Sequence, residues 1–545
     1  MRFKHIAAVL GSCALIISTP AYALPDQAAT PTRPAQAEAA AQVALERVQE
    51  LLASKETPGR AKAAQVVGHA DATMALRDLY FARTALKGSD RAAADRILAR
   101  PTEGASDPAG DGYSGGVQQS TCGTNVCIHW VMGDTKGDAP EPDDFGPTVP
   151  NGLPDQVDTT LATAEYVWQK TVTEGKYLAP LSDVLSSPNG GDAKLDIYLA
   201  NLTDQGLYGY CTSDDPNADN DLKVSAYCVI DDDFEGYPLD PLPSLQVTVA
   251  HEFFHAVQFA YEAAEDAWFM ESTAAWIEDE LYDSVNDNMN YIAPGAQGNP
   301  ISSPWVPLDL WQNNWRSYGD WVFWKKLSET YPNKAGTSLP NIVREVWTAA
   351  GNPNPGGAST MALSKVLAAH NTSFGKFFTK WGVGNRFPKK SYSEGRANKY
   401  PTAPLGGRFF LSKDKRHLGW KGVKLNHMTN IHARITPKSS LTGKGWKLRV
   451  TVNTPDKVRG SFATLIVYKK TGKIVTVPVK LNRSGDGVGT VPFGRGSVKF
   501  IELTMTNASN RFKNCYPFTN PSNFTCSGTP RDDKLVFTFK AAVVR

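Results

Sequence analysis

The sequence predicts an α+β protein: an N-terminal helical segment, a mixed α+β region and a C-terminal antiparallel β-sandwich. Three patterns carry this reading. Between Ala39 and Arg100 an Ala-rich stretch repeats apolar residues at helical spacing, Leu45, Val48 and Leu52 on one face and Leu76, Leu79, Tyr80 and Arg83 on another. From Val117 to Tyr400 short alternating strands are interleaved with amphipathic helices. Beyond Pro404 the chain turns to short alternating strands separated by Gly, Asn and Pro, as in a sandwich. The expected division is 1–23 signal peptide, 24–116 helical segment that reads as a propeptide or, nearly as well, as a helical domain with no such role, 117–403 catalytic region and 404–545 basic β-sandwich.

The first residues read as an export signal. Arg2 and Lys4 precede the apolar run Ile6 to Ile17, and Ala21-Tyr22-Ala23 offers small residues for cleavage before Leu24. Leu10-Gly11-Ser12-Cys13 lies too early in that run for a lipoprotein box. No later stretch approaches ~20 apolar residues, so no membrane span is expected and the mature chain should be secreted and extracellular. Of the 7 cysteines, Cys13 falls in the signal. The other six cluster as near pairs, which predicts disulfides 122–127, 211–228 and 515–526 in an oxidising compartment.

Further along, Pro25 to Pro34 is Pro/Ala-rich, and Thr102 to Gly116 is a Gly/Ser/Asp/Pro linker after the stop at Pro101. Cys127 to Val131 reads as a strand, Gln156 to Thr173 as an amphipathic helix and Lys194 to Leu202 as an alternating strand. Val224 to Ile230 reads as a strand, and helices follow at Leu245 to Glu265, Trp268 to Leu281 and Tyr318 to Thr330. In the last region the clearest strands are Trp446 to Val452, Ser461 to Tyr468, Ser497 to Met505 and Lys534 to Val544.

The net charge of +2 hides a division. From Lys376 to Arg545 there are 33 Lys and Arg against 7 Asp and Glu, and the remainder carries 24 against 48. A basic C-terminal half implies either an anionic surface polymer as partner or docking against the acidic half. No specific nucleic-acid motif accompanies it.

Chemistry concentrates in His251-Glu252-Phe253-Phe254-His255. Histidines at i and i+4 project from one helix face one turn apart, so both imidazoles reach a single ion, and neutral imidazole nitrogens suit Zn2+. Glu252 lies about 100° further round the helix, beside the ion, where a general base belongs. A catalytic site needs a third protein ligand. The metzincin continuation is excluded, because its Gly position holds Gln258 and its third-His position holds Tyr261. A carboxylate from Trp268-Phe-Met-Glu271-Ser-Thr-Ala-Ala-Trp276-Ile-Glu278 is the alternative.

That segment resembles the second zinc helix of gluzincins, Trp-x-x-Glu-(Gly/Ser)-x-Ala. It is more similar still to a family of secreted bacterial metalloproteases first recognised in myxobacteria. The matching residues run from Leu153-Pro154-Asp155 through Leu195-Asp196-Ile197-Tyr198-Leu199, Thr248 to Gln258 and Trp268 to Glu278, to Tyr318-Gly319. The resemblance covers about half the chain. It implies a zincin-like fold, zinc on His251, His255 and Glu271, and Glu252 as base. Glu271 follows His255 by 16 positions, shorter than the usual gluzincin separation, which leaves Glu278 as a rival ligand. By the same resemblance Tyr318 corresponds to an oxyanion-binding phenol; an ordinary half-buried tyrosine fits the residue equally well.

Asp215-Pro-Asn217-Ala-Asp219-Asn-Asp221 spaces oxygens like the start of a Ca2+ loop. It lacks Gly at the sixth position (Asn220) and Glu at the twelfth (Ala226), so a solvated acidic loop is the better reading. The expected function is a zinc metallopeptidase acting on a protein or peptide substrate. The rivals are a zinc amidase acting on cell-wall material and a non-catalytic surface adhesin with a structural zinc.

Overall fold

The computed structural model describes residues 33–53, 72–102, 113, 116–133, 137–142, 150–203, 205–216, 222–293, 295–296, 298–312, 315–333, 339–351, 357–443, 445–515 and 522–545. The expected signal peptide and most of the 102–116 linker lie outside them. Helices α1 (Arg33–Leu52), α2 (Ala72–Ala82) and α3 (Gly88–Ile97) come first. They bury Leu45, Val48, Leu76, Leu79 and Tyr80, the faces that the helical spacing marks out.

A five-stranded sheet follows: β1 (Val117–Cys122), β2 (Val126–Met132), β3 (Leu195–Ala200), β4 (Gly209–Thr212) and β5 (Tyr227–Asp231), in the order β1-β2-β3-β5-β4. The central strands β2, β3 and β5 run parallel, and β1 and β4 are antiparallel edges. The alternation in β3 predicts one wet face, yet all six of its residues are buried. The N-terminal segment covers the polar side. Arg100, itself fully buried, ion-pairs with Asp196 and reaches Asp183 at 2.7 Å and Asp214 at 2.8 Å. His129 Nε2 meets the other Asp196 oxygen at 2.8 Å. A charge buried this deeply persists only when paired. Val224 is not in a strand as expected, because its N–H is donated to Phe259 O of the neighbouring helix.

Helix α4 (Asp155–Trp168) continues into a π-helical stretch, Gln169–Glu174. The long α5 (Pro241–Glu262) starts earlier than the apolar pattern implies, since proline is accommodated at the first helical position. After a tight turn, α6 (Ala267–Leu281) packs against it. The expected helix from Tyr318 is two pieces, α7 (Arg316–Gly319) and α8 (Trp321–Thr330), joined at Asp320. Helices α9 (Asn341–Ala350), α10 (Ser359–Ala369) and α11 (Phe374–Gly384) lead to the C-terminal strands. At Gly375 an added Cβ would meet the Phe462 ring at 2.5 Å, which shows how closely α11 lies on the first sheet beyond.

Those strands are β6 (Gly407–Leu411), β7 (His417–Leu425), β8 (Thr429–Pro437), β9 (Lys447–Asn453), β10 (Ser461–Lys469), β11 (Ile474–Pro478), β12 (Asp486–Pro492), β13 (Val498–Asn507), the short pair β14 (Phe512–Lys513) and β15 (Thr529–Pro530), and β16 (Leu535–Val544). Two sheets, β11-β10-β13-β8-β6 and β12-β9-β16-β7, enclose one apolar core that includes Ile435, Leu448, Leu465, Leu503 and Phe537. The expectation of a purely antiparallel sandwich needs correction: β6 pairs with β8 in parallel. The intervening β7 crosses to the other sheet to pair with β16, so β6 and β8 are not a hairpin and run the same way.

Cysteines pair as their clustering predicts, 122–127, 211–228 and 515–526. No helix among the described residues is long and apolar enough to cross a membrane. Where the strands of the basic half meet the helical layer, His427 bridges the two. Its Nε2 lies 2.8 Å from Asp309 and its Nδ1 2.6 Å from Asp533. A second ion pair crosses the same boundary with its charges the other way round, Lys325 to Glu394 at 2.7 Å.

Burial alone would lower the His427 pKa, but the two carboxylates push it up to about 9, and both carboxylates are held below their ordinary value of 3.8. A raised histidine stabilises fully below its unfolded pKa of ~6.5 and loses that contribution as pH rises through the folded value. The carboxylates' share disappears in acid, as pH falls below about 3.8. Thermal melts should therefore show wild type and His427→Gln furthest apart near pH 5–6 and converging by about pH 9.5. A constant gap across that range would contradict the charged bridge.

Candidate metal centre

Helix α5 carries His251 and His255 on the face that meets α6, and the opening of α6 supplies Glu271. Ligand atoms of these three side chains lie within 4.8 Å of one another, and all three residues are buried. Glu271 Oε2 is 3.2 Å from His251 Nε2, and Glu271 Oε1 is 3.4 Å from His255 Nε2. Both imidazoles thus aim their Nε2 at one carboxylate.

The opposite ring nitrogens are held from behind. His251 Nδ1 meets Glu278 Oε1 at 2.5 Å. His255 Nδ1 meets Gln258 Oε1 at 2.7 Å, and the Gln258 amide donates to Met270 O at 2.9 Å and Thr273 Oγ1 at 3.1 Å. Outer partners of this kind fix ring orientation and present Nε2 to a metal. Of the two rival carboxylates, Glu271 faces both Nε2 atoms and Glu278 braces one imidazole, two turns further along the same helix.

His255 Nε2 and Glu271 Oε1 are buried without a hydrogen-bond partner. Native interiors rarely leave such atoms unsatisfied, and two imidazole nitrogens converging on a carboxylate, with one nitrogen and one oxygen orphaned, fit a divalent ion of zinc's preferences. Electrostatics couple the three groups tightly. Burial takes the His255 pKa down to about 4, keeping that imidazole neutral. Burial would raise Glu271, but the two histidines and the Tyr318 hydroxyl hold it well below the ordinary carboxylate range. His251, despite burial, is carried well above the usual value by Glu271 and Glu278.

Glu252 is not among the three converging residues, and its Oε2 accepts a hydrogen bond of 3.1 Å from Thr73 Oγ1. Space for it depends on Gly209 in β4, where an added Cβ would stand 3.1 Å from Glu252 Cγ and 3.0 Å from Thr248 Cγ2. Tyr318 stacks on the His251 ring, centroids 5.6 Å apart, with its hydroxyl bonded to Glu271. No protein-family model matches the sequence, and no curated protein does. Among solved structures, 68% of this chain aligns with 54% of a family GH115 4-O-methyl-alpha-glucuronidase with specificity for decorated arabinogalactans, at 8% identity and a TM-score of 0.14. The chain therefore spans about half that protein's length, and a likeness this faint carries no argument about fold or activity.

Away from the trio, Asp215 is buried and accepts from Ser225 N at 3.1 Å and from Ser225 Oγ at 3.3 Å. Asn217 to Asp221 lie outside the described residues. Sequence reading passed over three residues that shape the site. Gln258 carries a signal in hindsight, since i+3 from His255 places it on the same helix face. Gly209 and Thr73 carry none, being remote in sequence from the motif.

Proposed function

We propose that the chain is a secreted zinc-dependent metallopeptidase of gluzincin type, with a zincin-like catalytic domain. The observation that carries this reading is the convergence of His251 Nε2, His255 Nε2 and the Glu271 carboxylate, with Glu252 following His251 on the same helix. A structural site has no need of a carboxylate in that flanking position, which favours an enzyme over an adhesin. Zinc held by these three residues would supply a Lewis acid that polarises a carbonyl and brings the pKa of water towards ~7.

The chain's own residues do the rest. Glu252 takes the proton from the attacking water and delivers it to the leaving amine. Glu278 and Gln258 keep both imidazoles aimed during turnover. Tyr318, swung off Glu271, can donate a hydrogen bond to the negative charge that develops on the carbonyl oxygen. Three disulfides support an extracellular setting. Zinc-loaded protein in which Thr73→Val frees Glu252 of the Thr73 hydrogen bond should hydrolyse denatured casein. Turnover of purified peptidoglycan with none of casein would favour the cell-wall amidase instead.

The basic half supports an anionic surface polymer as partner. A cavity of about 590 Å³ on the β6–β8–β13 face is lined by Arg408, Arg434, Lys470, Arg495 and Lys499 with the rings of Phe410 and Phe500. Arg434 is engaged with Glu502; the other four cations make no ion pair with a described residue. Four like charges gathered without paired carboxylates favour an anionic ligand. Full-length protein should bind teichoic acid or heparin in a salt-sensitive way that Arg408→Glu weakens by ~10-fold or more. Absence of salt-sensitive binding to either polymer would remove this proposal.

A further inference from the structure

Helix α2 lies along the outer edge of β4, the edge strand nearest Glu252. Thr73, in its first turn, uses its one hydroxyl twice. The oxygen accepts the Cys211 N–H of β4 at 2.9 Å, and the hydroxyl donates to Glu252 Oε2 at 3.1 Å. Cys211 pairs with β5 on its inner side, so Thr73 occupies a backbone donor on the strand's open edge. Open edges are where an extended chain adds by main-chain hydrogen bonds.

Three further contacts hold the helix there. Arg77 donates to Glu265 O at 2.8 Å, in the turn between α5 and α6. Tyr80 and Arg83 donate to Asp215 O, just beyond β4, at 2.8 and 3.2 Å. One helix thus bridges the edge strand, the general base and the turn into the Glu271 helix.

We infer that the N-terminal helical block is an intramolecular inhibitor: α2 closes the β4 edge and holds the Glu252 carboxylate through Thr73, so the chain is latent until α2 leaves. The inference rests on the metallopeptidase reading for what is inhibited, and on Thr73 for how. A carboxylate that accepts the Thr73 hydrogen is engaged where it should receive a proton from water, and a substrate strand cannot reach Cys211 N–H while Thr73 holds it. Removal of everything up to Gly116 would also strip Arg100 from three carboxylates, of which Asp183 and Asp196 are fully buried. The block is therefore expected to leave by displacement of α2, with the Arg100 anchor holding it near the site after the linker is cut.

Full-length, zinc-loaded wild type is compared with Thr73→Val, which fills the seat but makes neither hydrogen bond, and Thr73→Arg, too long for it. Three readouts are taken: amide hydrogen exchange at Cys211, affinity for a short peptide hydroxamate, and casein turnover. Exchange at Cys211 should quicken and the hydroxamate should bind tighter, each by about tenfold in Thr73→Val and more in Thr73→Arg, since one lost hydrogen bond to a charged group changes an equilibrium by about that factor. Unchanged exchange and unchanged hydroxamate affinity in both folded variants would overturn the inference whatever the turnover. If exchange and hydroxamate binding rise but no form cleaves casein, the block stands and the peptidase reading falls. If the site takes up no zinc, exchange at Cys211 still decides whether Thr73 holds the edge.

Discussion

Glu252→Gln should leave zinc content and melting behaviour near wild type while lowering turnover by ~10² or more. The substitution keeps the shape of the side chain, and the amide can still accept the Thr73 hydroxyl, so the packing around Gly209 and β4 is undisturbed. What is lost is the ability to take and return a proton. Glu252 is not among the three residues whose ligand atoms converge, which is why metal affinity and rate should separate. The measurement is turnover of casein beside zinc content at fixed free zinc, made on protein freed of the α2 contact by Thr73→Val in both backgrounds. Near-normal hydrolysis by folded, zinc-loaded Glu252→Gln would remove it as the base. Loss of zinc would instead make it a ligand.

Arg100→Met should destabilise the fold by ~3–5 kcal/mol, the usual cost of removing one partner from a buried ionic cluster. The guanidinium is fully buried among Asp183, Asp196 and Asp214, and methionine of similar length leaves their charges uncompensated. Burial already pushes Asp183 up to about 7 with Arg100 beside it. Without the cation, Asp183 rises further and becomes neutral more readily. The deficit should therefore be largest above about pH 7 and shrink as the pH falls and Asp183 protonates. Urea midpoints of wild type and variant across pH 5–8 test this. Equal midpoints at pH 8 would show that the cluster adds nothing to stability.

How much of this was legible in the sequence follows from how local each signal is. The His251–His255 spacing and the flanking Glu252 are set by one helix, so a five-residue motif suffices to place them. Glu271 needed a second helix and a turn, yet the hydrophobic pattern around Trp268 to Trp276 gave that helix, and only the choice between Glu271 and Glu278 depended on how the two cross. Disulfides close short loops and were readable from clustering. Non-local pairings were not. Thr73 meets Glu252 across 179 residues and Arg100 meets Asp214 across 114, and neither residue stands in a pattern that distinguishes it from a solvated helix position. The burial of both faces of β3 was missed for the same reason. Its polar alternation signals water only if no other segment supplies a cation, and Arg100 does. In the sandwich, strand existence was readable from alternation, whereas the parallel β6–β8 pair depended on β7 joining the other sheet.

The central claim is that His251, His255 and Glu271 hold one zinc ion. Anomalous X-ray scattering above and below the zinc edge, on crystals of the full-length protein grown with zinc, tests it most directly. One anomalous peak is expected, with imidazole Nε2 atoms of His251 and His255 at ~2.0–2.1 Å, a Glu271 oxygen at ~2.0–2.2 Å and Glu278 still on His251 Nδ1. No peak between α5 and α6, or a peak ligated by Glu278 with Glu271 turned away, would contradict it.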